Sequence, residues 1–310
     1  MTTRPSLAPT PKTWGLLILL GFIWGGSFFL ARYAVGTIPP FTLVFLRLSL
    51  AALVLHIYLM GRHQLYGHLK RLWQPFLLLG LLNNAIPHTL IFFGQTEIGA
   101  GLAAILNATT PIWTVLIANR LTSDEKLSRL KIAGTMLGLA GTAVLIGPGA
   151  FVKTDIPHWA LILPILAAMS YGLAATYGKR FRDVPPEVTA TGQMTASAII
   201  ILPVCLLADA PWTLPAPSLT VIAAVLGLAL VSTAYGYILF FKIMAQAGAT
   251  NTSLVTLLVP PSAILLGFIF LNETLHILDV AGMVLIGLGL VVLDGRLVTR
   301  VFNQRSKTSP

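Results

Sequence analysis

The sequence is poor in charge. Asp, Glu, Lys and Arg make up 10% of its 310 residues, whereas a soluble globular domain carries roughly 25%. So few charges cannot cover a water-soluble particle of this size, but they suit a chain whose solvent is lipid. The 56% of hydrophobic residues supply the surface that lipid requires.

Cysteine is almost absent too. Cys205 is the single cysteine and sits in an apolar run, which excludes an intrachain disulfide and any zinc or iron–sulfur site built on cysteines of this chain. We interpret it as a small buried hydrophobe. The sequence predicts no metal site and no cofactor.

Catalytic motifs are missing as well. The chain has no G-x-x-x-x-G-K-[ST] phosphate loop, no G-x-S-x-G and no H-E-x-x-H, so we expect neither a nucleotide-hydrolysing motor nor catalytic residues. Its 10 acidic residues lie in loops or near the ends of hydrophobic segments. We expect a protein that is not an enzyme, with an intramembrane enzyme or a channel as the alternatives of another class.

Long hydrophobic segments recur along the chain. Crossing a bilayer takes about 20 apolar residues, and these segments have that length. They predict an all-α membrane protein with ten transmembrane helices. The segments are Thr13–Ala34, Pro40–Met60, Trp73–Gly94, Ile98–Leu121, Arg129–Gly147, Pro157–Lys179, Pro186–Leu207, Pro217–Lys242, Gly248–Leu271 and His276–Asp294.

The basic residues predict the orientation. Of the 20 Lys and Arg, all but Arg32, Arg47 and Lys153 fall on one side of the predicted membrane. Positive loops face the cytoplasm, so both termini are expected there. The basic excess then reflects topology and contact with anionic lipid, and we expect no nucleic-acid partner.

The two halves of the chain resemble each other. Gly99-Ala100 and Pro111 match Gly248-Ala249 and Pro260. We therefore expect a cytoplasmic tail (1–12), a first five-helix repeat (13–147), a loop (148–156), a second repeat (157–294) and a basic cytoplasmic tail (295–310). Five is an odd number, so the repeats are inverted, as in carriers that work by alternating access.

Short motifs add a family resemblance. They are Trp24-Gly25-Gly26-Ser27, Arg47 after Pro40, and the prolines of the fourth and ninth segments, each followed 13 or 14 residues later by Glu. On these the chain resembles the EamA-type families of the drug/metabolite transporter superfamily. The resemblance implies ten helices, a cavity lined chiefly by helices 1, 3, 4, 6, 8 and 9, and export of amino acids, other small metabolites or drugs.

Prolines and asparagines mark the predicted site. Pro87 follows Asn83 by four residues and Pro111 follows Asn107 by four, and a helical proline frees the carbonyl four residues earlier. These polar groups either line a cavity or satisfy the kinks and hold helices together. The predicted hinges are Pro87, Pro111, Pro164 and Pro260.

Further polar and aromatic residues complete the predicted site. Asn84, His88 and Gln95 fall on one helical face, and in the repeat His88 corresponds to Tyr237. Histidine changes charge near neutral pH, so His88 is either a proton carrier or a structural residue. Aromatic rings suit an aromatic or cationic solute. The predicted substrate-binding residues are Trp24, Ser27, Asn83, Asn84, His88, Asn107, Trp113, Tyr171, Thr233, Tyr237 and Thr256.

Structural roles are predicted for one arginine and several glycines. Arg47 lies about 10 Å into the second segment at 1.5 Å per residue; it could attract a substrate carboxylate, but the resemblance places it on a helix outside the main cavity and favours a structural role. Gly134, Gly138 and Gly282 allow close backbone approach, either between the repeats or with a neighbouring molecule.

These features predict a secondary transporter or facilitator that exports small metabolites across the inner membrane. Amino acids are favoured, aromatic ones in particular because of the lining; drugs, vitamins and nucleotide sugars are the alternatives. The small multidrug antiporters that resemble half of this chain use a buried Glu, which the matching stretch here lacks. The expected partners are a small-molecule substrate and membrane lipid, and the protein is expected to be a monomer or a homodimer.

Overall fold

The computed structural model describes residues 9–122, 128–146, 156–271 and 276–294. The first eight residues of the predicted amino-terminal tail, most of the predicted loop 148–156 and the predicted carboxy-terminal tail 295–310 lie outside the described residues. Within the described ranges all regular secondary structure is helical, as the sequence predicts.

Fourteen α-helices follow one another in the described parts of the chain. They are α1 (Pro11–Val35), α2 (Pro40–Leu59), α3 (His63–Arg71), α4 (Trp73–Gly80), α5 (Ile86–Glu97), α6 (Ala100–Asn107), α7 (Thr110–Leu121), α8 (Arg129–Ile146), α9 (His158–Gly178), α10 (Pro186–Val204), α11 (Leu219–Gly227), α12 (Gly236–Ser253), α13 (Val255–Leu271) and α14 (Ile277–Asp294). Short 3₁₀ turns occupy Lys179–Phe181 and Pro211–Thr213, and a π-helix at Cys205–Asp209 ends α10.

Seven helical stretches of the described chain are long and apolar enough to cross a membrane. Two shorter apolar helices, Val255–Leu266 and Ile277–Leu293, follow them. The ten predicted segments all fall on helices. Length and hydropathy, however, support fewer than ten membrane crossings in the described residues. The seven stretches are Pro11–Val35, Pro40–Leu59, Trp73–Glu97, Ala100–Leu121, His158–Phe181, Pro186–Asp209 and Leu219–Ser253.

Two of these stretches contain a π-helix at matching places in the two halves. The first π segment (Leu81–Ala85) joins α4 to α5, and the second π segment (Leu228–Tyr235) joins α11 to α12. A π-helix bonds each N–H to the carbonyl five residues earlier, and such bulges often occur at functional sites. Each half therefore contains a π-helix at the same place, which the amino-acid composition does not predict.

The other predicted hinge prolines lie at the start of one helix and inside two others. Pro111 lies at the start of α7, after a short interruption between α6 and α7. Pro164 lies inside α9, and Pro260 inside α13. Gly248 has a φ of 79°, a left-handed backbone conformation that favours glycine; the joint between the eighth and ninth predicted segments bends there.

The contacts between helices come in matched pairs. Helix α1 packs on α13, as its counterpart α9 packs on α6 and α7. Helix α2 packs on the second π segment, as its counterpart α10 packs on the first π segment. Helices α8 and α14, and likewise α2 and α10, pack on each other across the repeat boundary. Two repeats related by a pseudo-twofold axis give this arrangement.

Glycines allow α8 and α14, the last helices of the two repeats, to pack closely on each other. A Cβ atom on Gly134 would lie 2.7 Å from the carbonyl oxygen of Gly289, and one on Gly282 would lie 2.7 Å from that of Gly141. A Cβ on Gly138 would meet the Leu257 side chain at 2.9 Å. These glycines therefore face α14, α8 and α13 of the same chain.

Candidate functional site

One cavity gathers the predicted polar and aromatic residues at the meeting of the two halves. It encloses about 740 Å³ of space free of atoms, a figure that includes its open mouth. Both halves supply its walls. Its lining consists of Trp24, Ser27, Phe28, Ala31, Arg47, Asn83, His88, Ile91, Phe92, Gln95, Asn107, Thr110, Tyr171, Ala175, Tyr237, Phe240, Ser253, Val255, Thr256 and Val259.

Tyr237 lies at the centre of an aromatic cluster on this wall. The centroid of its ring is 5.5 Å from that of Trp24 and 6.4 Å from that of His88. Phe240 packs on Trp24 at 5.6 Å, and Tyr171 meets His88 edge-on at 6.5 Å. These tilted and edge-on arrangements are the ones aromatic pairs prefer. Because His88 and Tyr237 are repeat counterparts, the cluster joins the halves at equivalent positions.

One backbone carbonyl of each π segment receives a hydrogen bond from a side chain of the opposite half. The Tyr237 hydroxyl donates to the carbonyl oxygen of Asn83 over 3.1 Å. Trp24 Nε1 donates to the carbonyl oxygen of Ser232 over 3.0 Å. Asn83 and Ser232 occupy matching positions in the repeat, so the two acceptors correspond, while the two donors come from helices that are not counterparts, α12 and α1.

The neighbouring asparagine side chains bind helix α10. Asn83 Nδ2 donates to Gln193 Oε1 over 3.0 Å, and Asn84 Nδ2 donates to Ser197 Oγ over 3.2 Å. Asn84 is fully buried against α10 and does not line the cavity. The sequence left two roles open for Asn83, lining a cavity or holding helices together. The geometry supports both, because Asn83 lines the cavity and its amide bonds a second helix.

Several buried polar atoms of the lining have no hydrogen-bond partner among the described residues. They are His88 Nδ1, both amide atoms of Gln95, and Asn107 Oδ1. A buried polar atom without a partner costs free energy. A bound solute or water would supply the missing hydrogen bonds. The residues that carry these atoms line the cavity, so the atoms are candidate contacts for a guest molecule.

Arg47 also lies on the cavity wall. Its side chain is 5% exposed, Nε donates to Thr233 Oγ1 over 2.6 Å, and Cζ lies 5.9 Å from the centre of the Phe92 ring. The expectation that this residue lies outside the main cavity is therefore corrected. Helix α2 crosses beside the second π segment, and this packing turns Arg47 inward.

Eight of the eleven predicted binding residues line the cavity and three do not. Thr233 accepts the hydrogen bond from Arg47 behind the wall, and Asn84 faces α10. Trp113 on α7 packs near Gly172 of α9, and its Nε1 is buried without a partner among the described residues. The eight that line it are Trp24, Ser27, Asn83, His88, Asn107, Tyr171, Tyr237 and Thr256.

The lining includes residues that the sequence reasoning left out. Gln95 shares a helical face with His88, and Phe92 follows His88 by one helical turn. Helical periodicity could therefore have predicted both as lining residues. Thr110 precedes the kink proline Pro111, and its hydroxyl donates to the carbonyl oxygen of Asn107 over 2.6 Å. A rule that inspects the neighbours of each kink proline would have found it.

A bundle of apolar helices with a polar, aromatic cavity between two related halves defines a membrane transporter. The EamA-like transporter family model matches the chain twice, over residues 12–147 and 158–293. The chain belongs to this family.

Relatives and a solved structure agree with that assignment. An "Uncharacterized transporter" of Archaeoglobus fulgidus is 25% identical, over 91% of this chain and 98% of its own length. The "Uncharacterized inner membrane transporter YedA" of Escherichia coli K12 is 28% identical, over 92% of this chain and 90% of its own. A crystal structure with 21% identity superposes with a TM-score of 0.76, covering 94% of this chain and 99% of that one, which supports the fold.

Proposed function

We propose that this chain is a ten-helix secondary transporter that exports small metabolites from the cell, with aromatic amino acids as the favoured substrates. The observation that supports this most is the cavity between the halves, where unpartnered donors and acceptors lie beside an aromatic cluster. Ammonium and carboxylate groups would bind the polar atoms, and an aromatic side chain would stack on Trp24, Tyr171 or Tyr237.

Alternating access would follow from bending at the interrupted helices. The four predicted hinge prolines, Pro87, Pro111, Pro164 and Pro260, lie on helices that line the cavity. Rocking of the repeats about these points would expose the cavity to one side and then to the other. The repeats would span 13–147 and 157–294, with both termini cytoplasmic and the carrier in the inner membrane as a monomer or homodimer.

The lining favours a facilitator or a carrier coupled through His88. No Asp or Glu is among the cavity-lining residues of the described chain, so a carboxylate that exchanges protons has no support. Export of drugs or of other metabolites such as vitamins is the second candidate, because the wall is largely apolar. A nucleotide-sugar carrier is disfavoured, since Arg47 is the single basic side chain besides His88 on the described wall.

Uptake into proteoliposomes tests the proposal. The purified chain would be reconstituted and given labelled phenylalanine, tyrosine and tryptophan, with and without a pH gradient. Saturable uptake competed by other aromatic amino acids supports the proposal, and indifference to the gradient identifies a facilitator. A non-saturating flux would indicate a channel, and no flux under either condition would overturn the amino-acid assignment. Reporter fusions to the two termini would test their orientation.

A further inference from the structure

We infer that the cavity selects solutes that carry a carboxylate, and that Arg47 is the residue that binds it. The inference rests on the proposed function and deepens it, because it names the group by which a substrate is recognised. It assigns Arg47 a specificity-determining role in place of a structural one.

The first observation is the isolation of this charge. Arg47 is 5% exposed and lies within a membrane-spanning helix. Among the described residues the one ion pair is Arg182 with Asp183, far along the chain and largely exposed. A buried ion normally has an opposite charge nearby, because leaving water is expensive. Arg47 therefore meets the cavity as a cation that no described side chain neutralises.

The second observation is how the guanidinium is held. A single hydrogen bond, from Nε to Thr233 Oγ1, fixes one edge of the planar group. Phe92 lies beside it at 5.9 Å. Arginine carries five N–H donors in a fixed fork, and the terminal nitrogens have no acceptor among the described residues. A fork held at Nε and open at its end is suited to a carboxylate, which it can bind through two parallel hydrogen bonds.

The third observation is the sign of charge around the rest of the wall. The described lining has no carboxylate, so a purely cationic solute would meet Arg47 without compensation. The acceptors Asn107 Oδ1 and Gln95 Oε1 have no hydrogen-bond partner in the described ranges and could receive an ammonium group, as could the aromatic faces. A zwitterion with an aromatic side chain and a simple aromatic carboxylate would both satisfy Arg47.

A set of four ligands separates these cases. Phenylalanine and 3-phenylpropanoate carry the carboxylate, with and without an ammonium group, and phenylalaninamide and 3-phenylpropanamide lack it. Binding of each to the purified full chain would be measured by the rise in its unfolding temperature with ligand concentration. We expect the acids to bind roughly 10- to 100-fold more tightly than their amides, the usual effect of hydrogen bonds to a charged group.

Variants then assign the preference to Arg47. R47Q should bind acid and amide alike, and R47K should keep part of the preference, because lysine retains the charge without the fork. R32Q, which removes a cation from the exposed end of α1, is the matched control and should bind as the unchanged protein does. If R47Q fails to fold, the role of Arg47 is still tested by comparing the preference for acids over amides in R47K and in the unchanged protein.

The outcomes distinguish this inference from the proposed function. Amides that bind as tightly as acids, or an acid preference that survives in R47Q, would overturn the role of Arg47 while saturable phenylalanine uptake left the transporter proposal standing. Arg47-dependent binding of 3-phenylpropanoate without any phenylalanine uptake would support the inference and overturn the amino-acid substrate. Binding of none of the four ligands would overturn the inference.

Discussion

The hydroxyl of Tyr237 lies 3.1 Å from the carbonyl oxygen of Asn83, and donates a hydrogen bond to it. This carbonyl belongs to the first π segment, in the first repeat, whereas Tyr237 belongs to the second repeat. A side chain of one half thus bonds the π segment of the other. A bond in the opposite direction joins Trp24 Nε1 to the carbonyl oxygen of Ser232, in the second π segment, at 3.0 Å.

Removing the Tyr237 hydroxyl should weaken this connection between the halves. In Y237F the ring remains but the Asn83 carbonyl loses its donor. Hydrogen bonds between membrane helices contribute on average about 0.6 kcal/mol and at most about 1.7 kcal/mol, so we expect a loss of that size in the free energy of unfolding, measured in detergent. Y235F, which alters a half-exposed ring, should change it little; equal effects would contradict the account.

Replacing Pro87 by alanine should act in the opposite sense. P87A restores an N–H group that can bond the Asn83 carbonyl, so the helix would become more regular at the first π segment. We expect a higher unfolding temperature together with slower uptake, because the predicted hinge would stiffen. P75A is the control, since Pro75 lies in the first turn of α4, where proline is tolerated. Unchanged or faster uptake in P87A would argue against a hinge at this position.

The close contact between α8 and α14 predicts a strong effect of larger side chains. A Cβ on Gly141 would lie 2.7 Å from the amide nitrogen of Ile286 and 2.8 Å from the carbonyl oxygen of Gly282. G141V should therefore force the helices apart and lower the free energy of unfolding by about 1–3 kcal/mol or more.

Gly287 is the matched control for that prediction. It lies on α14, yet an added Cβ there would meet nothing within 4 Å. We expect G287V to unfold at nearly the same temperature as the unchanged protein, whereas G141V unfolds earlier in the same scan. If both variants behaved alike, or if G141V changed the oligomeric state and left stability unaltered, these glycines would serve contacts between molecules instead.

Asp209 should stabilise the start of α2. Its carboxylate accepts hydrogen bonds from the backbone N–H of Thr42 over 2.6 Å and from the Thr42 hydroxyl over 2.9 Å. An anion at a helix amino terminus satisfies free N–H groups and the helix dipole. D209A should lower the free energy of unfolding by about 1 kcal/mol. D183A removes an exposed ion pair and should have almost no effect.

Much of the fold could be predicted because lipid imposes a simple rule. Each backbone polar group in a membrane must be satisfied within the chain, so long apolar segments become helices, and the predicted segments fall on them. The prolines at 87 and 111 likewise marked real interruptions. The bounds of the π segments could not be predicted, because a π-helix has no characteristic amino-acid composition.

The first π segment explains why one predicted lining residue faces away from the cavity. Asn84 and His88 are four residues apart and would share a face of a regular α-helix. In a π-helix the bonded residues are five apart, and the residue five before His88 is Asn83, which lines the cavity. The second half behaves in the same way, with Tyr237 on the wall and Thr233 behind it.

Arg47 shows what a single sequence leaves open. Its depth followed from the helical rise, but its direction depended on which helix packs against α2. That contact is between segments almost 190 residues apart, as in the bond from Arg47 to Thr233. Sequence spacing carries no information on such contacts, and so the choice between an anchor and a cavity residue needed the structure.

If the cavity between the repeats is the transport site, removing two of its polar side chains should abolish uptake. H88A combined with N107A removes one polar side chain from each of two lining helices, while T96A removes an exposed hydroxyl at the end of α5 that bonds only its own helix. The account predicts that saturable phenylalanine uptake into proteoliposomes is lost in H88A/N107A and retained in T96A. Unchanged uptake in the folded double variant would contradict it.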